Sequence, residues 1–154
     1  MPQKKRSSLL IKLPIMLIVG YFGLVFGVRV AMPEAEVGLV SGSLRDCPPS
    51  PNCVSSLAPE FDQEHRVAPL APAADLDGLE TVLQEQFNAE IVASESNYMH
   101  AVFTTRFMFF KDDVELYLPA PGGPVHIRSA SRLGYSDLGA NRARVEALRA
   151  ATGS

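Results

Sequence analysis

Six side chains in the second half of the chain are of types that can do acid–base, ligand-binding or metal chemistry: His100, Lys111, Asp113, Glu115, His126 and Arg128. Alternation puts them together. Segments 107–118 and 125–131 are separated by Ala120-Pro121-Gly122-Gly123-Pro124, a turn sequence, and read as antiparallel partners. If Leu118 opposes Val125, then Leu116 meets Ile127 and Val114 meets Ser129 on one face. On the opposite face Glu115 meets Arg128 and Tyr117 meets His126. A preceding strand that turns at Thr105-Arg106 brings His100 to that same face, near Lys111.

Three chemistries fit this cluster. The first is a Glu115–Arg128 cross-strand ion pair on a face wet by solvent, the ordinary expectation for a charged strand face. The second is a site for a polar or anionic ligand built from Arg128, Arg132 and His100. The third is a small hydrolase or transferase in which His100 works with Glu115 or Asp113 as acid and base. A metal held by His100, His126 and Glu115 lacks a ligand-spacing signature. No metal and no cofactor is therefore expected.

Residues 128–142 are dense in hydrogen-bonding side chains. Ser131, Ser136 and Asp137 are suited to cap the connection into a closing helix. The free N–H groups at that helix start would also suit an anion. The plainer reading is that these residues, Arg142 among them, lock the helix onto the sheet edge. Asn141 falls on the inward stripe of the helix and needs a hydrogen-bond partner there.

Cys47 and Cys53 frame Cys47-Pro48-Pro49-Ser50-Pro51-Asn52-Cys53. Six steps of extended polyproline would separate the two by about 19 Å, whereas a disulfide wants Cα atoms about 5–6 Å apart. Ser50-Pro51-Asn52-Cys53 supplies the turn that closes the gap. A disulfide is expected, stabilising by about 2 kcal/mol in the chain-entropy model. Structural zinc wants more ligands and closer spacing, and the C-x-x-C spacing of a redox pair is absent.

The elements that must position these groups follow from periodicity. Residues 75–87 read as a helix, with Leu76, Leu79, Val82, Leu83 and Phe87 at helical spacing and Asp75 as N-cap. Strands are expected over 91–95, 98–104, 107–118 and 125–131. In the third, Met108, Phe110, Val114, Leu116 and Leu118 should share one face, with Asp112 marking a bulge. Residues 138–151 read as the closing helix, with Leu138, Val145 and Leu148 inward and Asp137 as N-cap. Residues 54–74 are irregular and proline-rich, with one short strand at 65–70, and 34–44 reads as a stalk. The fold class is α+β: an antiparallel meander of about four to five strands with two helices on one face, preceded by one transmembrane helix.

That first helix follows Lys4, Lys5 and Arg6 and runs through an almost unbroken apolar stretch, 13–28, closed by Arg29. Leu9, Leu10 and Ile11 extend it to the about 20 residues a membrane span needs. Cleavage sites near Ala31 and Ala35 are poor, because Arg29 and Pro33 stand three residues back from them. An uncleaved signal-anchor is expected, with a cytoplasmic N-terminus set by the basic cluster. The expected layout is a basic tail 1–8, a span 9–30, a stalk 31–37, an extracytoplasmic domain 38–150 (periplasmic in a bacterium) and a tail 151–154. Residues 1–29 hold five basic and no acidic side chains; the remainder holds nine basic against all 17 acidic ones, a balance of −8. An acidic domain of this kind is no general nucleic-acid binder. The expected partners are the membrane and a small polar or anionic ligand or a protein.

Three separated motifs resemble one family. They are Cys47-Pro48-Pro49-Ser50-Pro51-Asn52-Cys53-Val54-Ser55-Ser56, the central Asp112-Asp113-Val114-Glu115, and the 128–142 stretch with Val145-Glu146-Ala147-Leu148-Arg149. In that order they are similar to the domain of unknown function 1499 family, over about residues 38–150. The resemblance implies one intact domain. It also implies anchoring or export, as in many bacterial members, plant relatives being plastid proteins. It carries no catalytic residue or ligand with it. It places Asp113, Glu115, Arg128, Ser129, Ser131, Arg132, Asp137, Asn141 and Arg142 at motif positions. The function expected is a non-catalytic binding or interaction module, with the His–carboxylate hydrolase or transferase as the alternative.

Overall fold

A computed structural model describes residues 5–73 and 75–153. Lys4 of the basic tail and Ser154 of the C-terminal tail lie outside the described residues. The first element, α1 (Lys5–Ala31), is apolar along most of its length and has Arg29 in its last turn. Within it, Lys12–Ala31 is long and apolar enough to cross a membrane. Its 20 residues rise about 30 Å at 1.5 Å each, the thickness of a hydrocarbon core. Pro14 lies inside α1.

A small hairpin follows, β1 (Leu39–Val40) and β2 (Ser43–Leu44). The main sheet has six strands. Four are consecutive and antiparallel: β5 (Glu90–Ser94), β6 (Tyr98–Thr104), β7 (Lys111–Tyr117) and β8 (Pro124–Ser131). The outer side of β8 is shared by β3 (Cys53–Ser55) near one end and β4 (Leu70–Pro72) near the other. The two helices of the domain are α2 (Asp77–Glu85) and α3 (Ala140–Thr152). The chain is therefore α+β.

One sheet face builds the core. Met99, Ala101, Val114, Leu116, Val125 and Ile127 pack against Leu79 and Leu83 of α2 and Val145 and Leu148 of α3 in one cluster. Alternation over β6, β7 and β8 explains why: every second residue is apolar, and a one-residue slip would turn that set into water.

Several expectations need correction. Residues 107–110 do not extend β7; the chain turns over 105–110, so Met108 and Phe110 are not on its apolar face. Asp112 marks no bulge. It sits in regular register between Phe103 and Ser131, on the helix side, where the Arg144 guanidinium gives its carboxylate a partner. Leu138 does not face inward: it is 97% exposed with φ of 55°, in a turn that precedes α3. The strand expected at 65–70 forms at Leu70–Pro72, with a single parallel bridge between Ser55 and Arg66. The short strand β3 and the β1–β2 hairpin were not anticipated. α3 runs to Thr152, one residue past the helix end expected at 151. The segment 34–44 is no free stalk but lies against the second face of the sheet. The Gly38 N–H donates to Glu115 and the Glu36 carbonyl accepts from Arg128.

Candidate functional site

The second sheet face carries alternating residues of the same strands. His100 of β6, Glu115 of β7 and Arg128 of β8 lie side by side in register. Asp113 is two positions along β7 from Glu115 and pairs with Ala130. The expected cross-strand pairing of Glu115 with Arg128 is present, at 2.8 Å between Arg128 Nη1 and Glu115 Oε2. The expectation of a wet face is wrong. Glu115 is 0% exposed, Asp113 3%, His100 4% and Arg128 5%. The cover is the 32–48 segment, with Leu44 of β2 itself buried over the sheet.

Burial of four ionisable groups demands full pairing. Glu115 Oε1 accepts from the Gly38 N–H at 2.7 Å and from the Tyr98 hydroxyl at 2.9 Å. Burial first, and then the charge of Glu115, push the Tyr98 phenol above its ordinary range. Asp113 Oδ1 is 2.7 Å from His100 Nε2, and both Asp113 oxygens accept from Arg132, Oδ2 from Nε at 2.8 Å and Oδ1 from Nη2 at 2.7 Å. Burial would raise the Asp113 pKa, but the bonds from His100 and Arg132, with their charges, outweigh it and hold it below the usual carboxylate range. The same bonds raise Arg132 above its own ordinary value. One donor is left over: among the described residues, Arg128 Nε is buried and has no acceptor.

Ser131, Asp137, Asn141 and Arg142 belong to a different network, between sheet and α3. Asn141, 0% exposed, accepts at Oδ1 from the Ser129 hydroxyl at 2.6 Å and from Arg144. Its Nδ2 donates to the Asn52 carbonyl at 2.9 Å and to Ser131 Oγ at 3.0 Å. Asp137 does the capping work expected of it, accepting the N–H groups of Gly139 and Asn141, although the residue before the helix is Gly139 with φ of 85°. Arg142 donates to the carbonyls of Gln63, Glu64 and Arg66. These four hold α3 in place. Arg144 was missed by the sequence reading; its spacing of three from Asn141 on one helix was the available signal. His126 stacks on Tyr117 and shares a hydrogen bond with Ser56, with burial lowering its pKa. Among the described residues no group of three His, Cys, Asp or Glu side chains is placed to hold a metal ion.

Between the cover and the charged face lies a cavity of about 690 Å³. Glu34, Arg45 and Asp46 line it from the cover, and Asp113, Arg128 and Arg132 from the sheet. The cysteine loop closes one side. Cys47 and Cys53 are disulfide-bonded with Cα atoms 5.6 Å apart. Cys53 is in β3 and Cys47 is near the end of the cover, so the bond ties the cover to the sheet. The volume falls within the range of small-molecule sites, about 300–1,000 Å³.

Asp113 gives a pH prediction. Its folded pKa is depressed, so its contribution is full above the unfolded value, about 3.9, and is lost as pH falls through the folded one. Unfolding free energy should therefore drop below about pH 4, and Arg132→Gln, which removes one of the groups holding Asp113 low, should make the drop smaller. Denaturant titrations across that window, with Asp113→Asn as control, check this. Asp62, held low by its bond from His65, accounts for slope that survives in the control.

The family model described as "Protein of unknown function (DUF1499)" matches residues 43–152. No curated protein and no solved structure matches the chain.

Proposed function

The chain belongs to the DUF1499 family, and from that premise we propose a membrane-anchored, extracytoplasmic binding module without catalysis, whose ligand occupies the cavity beneath the cover. The observation that carries the reading is Arg128: a buried guanidinium on the cavity wall with one donor unsatisfied. A buried unpaired donor costs about 1–3 kcal/mol. An acceptor oxygen entering the cavity, with a small shift of the side chain, would remove that cost. Arg132, its Nε and Nη2 held by Asp113, adds positive charge to the same wall, and Glu34 and Asp46 also line the space. The ligand class that suits such walls is a small polar molecule with an anionic group at one end and hydrogen-bond donors at the other.

The groups that catalysis would need are already engaged. A general base needs a free lone pair and a pKa near the working pH. Asp113 instead takes three bonds and is held low, and Glu115 accepts from three donors. Among the described residues His100 has no hydroxyl or thiol hydrogen-bonded to it, and both cysteines are in the disulfide. The disulfide and the basic residues ahead of the apolar stretch favour a cytoplasmic N-terminus and an oxidising compartment for the domain. Reporters fused after Ser154 should then be active only outside the cytoplasm.

Native mass spectrometry of the full chain in detergent tests the ligand. A bound small molecule should be present and should be released on denaturation. Val40→Trp, which places bulk at the cavity wall, should abolish it while the disulfide stays formed. A ligand-free mass for the unaltered chain from its own host would sink the reading, and turnover of the released molecule that His100→Ala abolishes would replace it with an enzyme.

A further inference from the structure

The β6–β7 connection, Thr105-Arg106-Phe107-Met108-Phe109-Phe110, has three phenylalanines and a methionine in six residues. The connections at 95–97 and 119–123 are built from polar residues, glycine, proline and alanine, as turns facing water normally are. The turn does not need its aromatic side chains to hold its shape. The Phe109 N–H donates to the Thr105 carbonyl and the Phe110 N–H to Thr105 Oγ. Phe109 takes φ of 57°, a conformation bulky residues rarely adopt. Phe107 is 71% exposed.

A second observation says what covers this tip. It lies alongside α1. The Tyr21 hydroxyl donates to the Phe107 carbonyl at 2.6 Å, and the Arg29 guanidinium sits 5.1 Å from the centre of the Phe109 ring. Both partners fall within the stretch Lys12–Ala31 that can cross a membrane. Tyr21 stands ten residues before Ala31, about 15 Å along the axis, or half of an about 30 Å hydrocarbon core. The neighbouring Phe22, Leu24 and Phe26 are 64%, 55% and 69% exposed, so tip and helix present apolar surface side by side. A backbone carbonyl at membrane depth must find its donor within the protein, and Tyr21 provides it for Phe107. Lys111 follows the apolar residues, as basic side chains do at a headgroup layer.

We propose that the 105–110 hairpin tip inserts into the outer leaflet beside α1, as a second attachment of the domain to the same bilayer. This rests on α1 being the membrane span. The domain is then held at two points and cannot swing about the end of the helix, so the cover and its cavity keep a fixed orientation to the membrane surface.

The chain has no tryptophan, so a single one reports its own surroundings. Phe107→Trp and Phe109→Trp full chains are reconstituted in vesicles of phosphatidylcholine and phosphatidylglycerol, with and without brominated acyl chains. Phe61→Trp, at a position 89% exposed, is the aqueous control. Flotation with the vesicles tests the anchor separately. The two tip variants should float, emit to the blue of the control and lose most of their emission to brominated lipid. The control should float and be quenched only by aqueous acrylamide. Floating tip variants that behave like the control would overturn the insertion while leaving the anchor intact. Blue-shifted tip emission indifferent to bromine would overturn it in favour of a protein contact. Failure of every variant to float would overturn the anchor, and the insertion with it.

Discussion

Arg128→Met should lower the unfolding free energy of the chain by about 3–5 kcal/mol, the cost of leaving a buried charge without its partner. An exposed cross-strand pair would lose only about 0.2–1 kcal/mol, so the measurement separates the two environments by a wide margin. Glu115 would keep its bonds from Gly38 and Tyr98 but lose the one cation bonded to it among the described residues. Glu115→Gln should cost about as much, since Arg128 cannot give up its charge and is left buried without its carboxylate, although the amide oxygen still accepts from Tyr98 and Gly38. The pair replaced together, Glu115→Leu with Arg128→Met, should recover much of the single-variant loss, because well-packed apolar groups can replace a buried ion pair at little cost. The remaining deficit belongs to the Tyr98 hydroxyl and the Gly38 N–H, both of which lose their acceptor. Equal losses in the single and double variants would mean that the pair contributes nothing to coupling the strands. The readout is denaturant unfolding of the full chain in detergent micelles.

The register of this pair was legible because Val114, Leu116, Val125 and Ile127 can be buried together in only one alignment. The disulfide was legible because its loop is short and its ends carry the only cysteines. The burial of the charged face was not. It depends on a segment, 32–48, with no periodicity of its own. Its β1–β2 hairpin is two residues long on each side, and its hydrogen bonds to Glu115 and Arg128 are made through main-chain groups at Gly38 and Glu36, which any sequence possesses. The same cause hid the cavity, since one wall of it is that segment. The 107–118 stretch misled for a different reason. Alternation of Met108 and Phe110 continues the strand pattern without a break, and an apolar residue in a turn leaves the same trace as one in a core. Only a reason for those side chains to be outside, such as lipid, distinguishes the two. Leu138 errs alike: it satisfies the helical stripe but stands before the helix begins.

Asn141→Leu should destabilise the chain by about 3 kcal/mol or more, well above the about 1 kcal/mol of a typical point change. Leucine matches the volume but satisfies nothing. Ser129 loses its acceptor, the Asn52 carbonyl loses one of its two donors, Ser131 Oγ loses the Asn141 donor, and Arg144 keeps Asp112 and Ser129. The losses should not simply add, because Arg144 already bonds one of the orphaned groups, Ser129, and can shift toward it. Asn141→Asp should cost less, retaining the acceptor for Ser129 and Arg144 while losing the two donor bonds. The consequence reaches the cavity through Asn52. That residue is in the cysteine loop, and its carbonyl also accepts the Ser131 N–H, while its side chain donates to the Gly134 carbonyl. Cys53 follows it directly, so the disulfide that ties the cover to the sheet is anchored to a loop that Asn141 holds from behind. Asn141→Leu should therefore speed amide exchange in Cys53–Ser55 and make the Cys47–Cys53 bond easier to reduce, in a region two layers away from the substitution. Unchanged exchange and reduction alongside the full stability loss would mean that the helix-side network and the cavity wall are energetically separate.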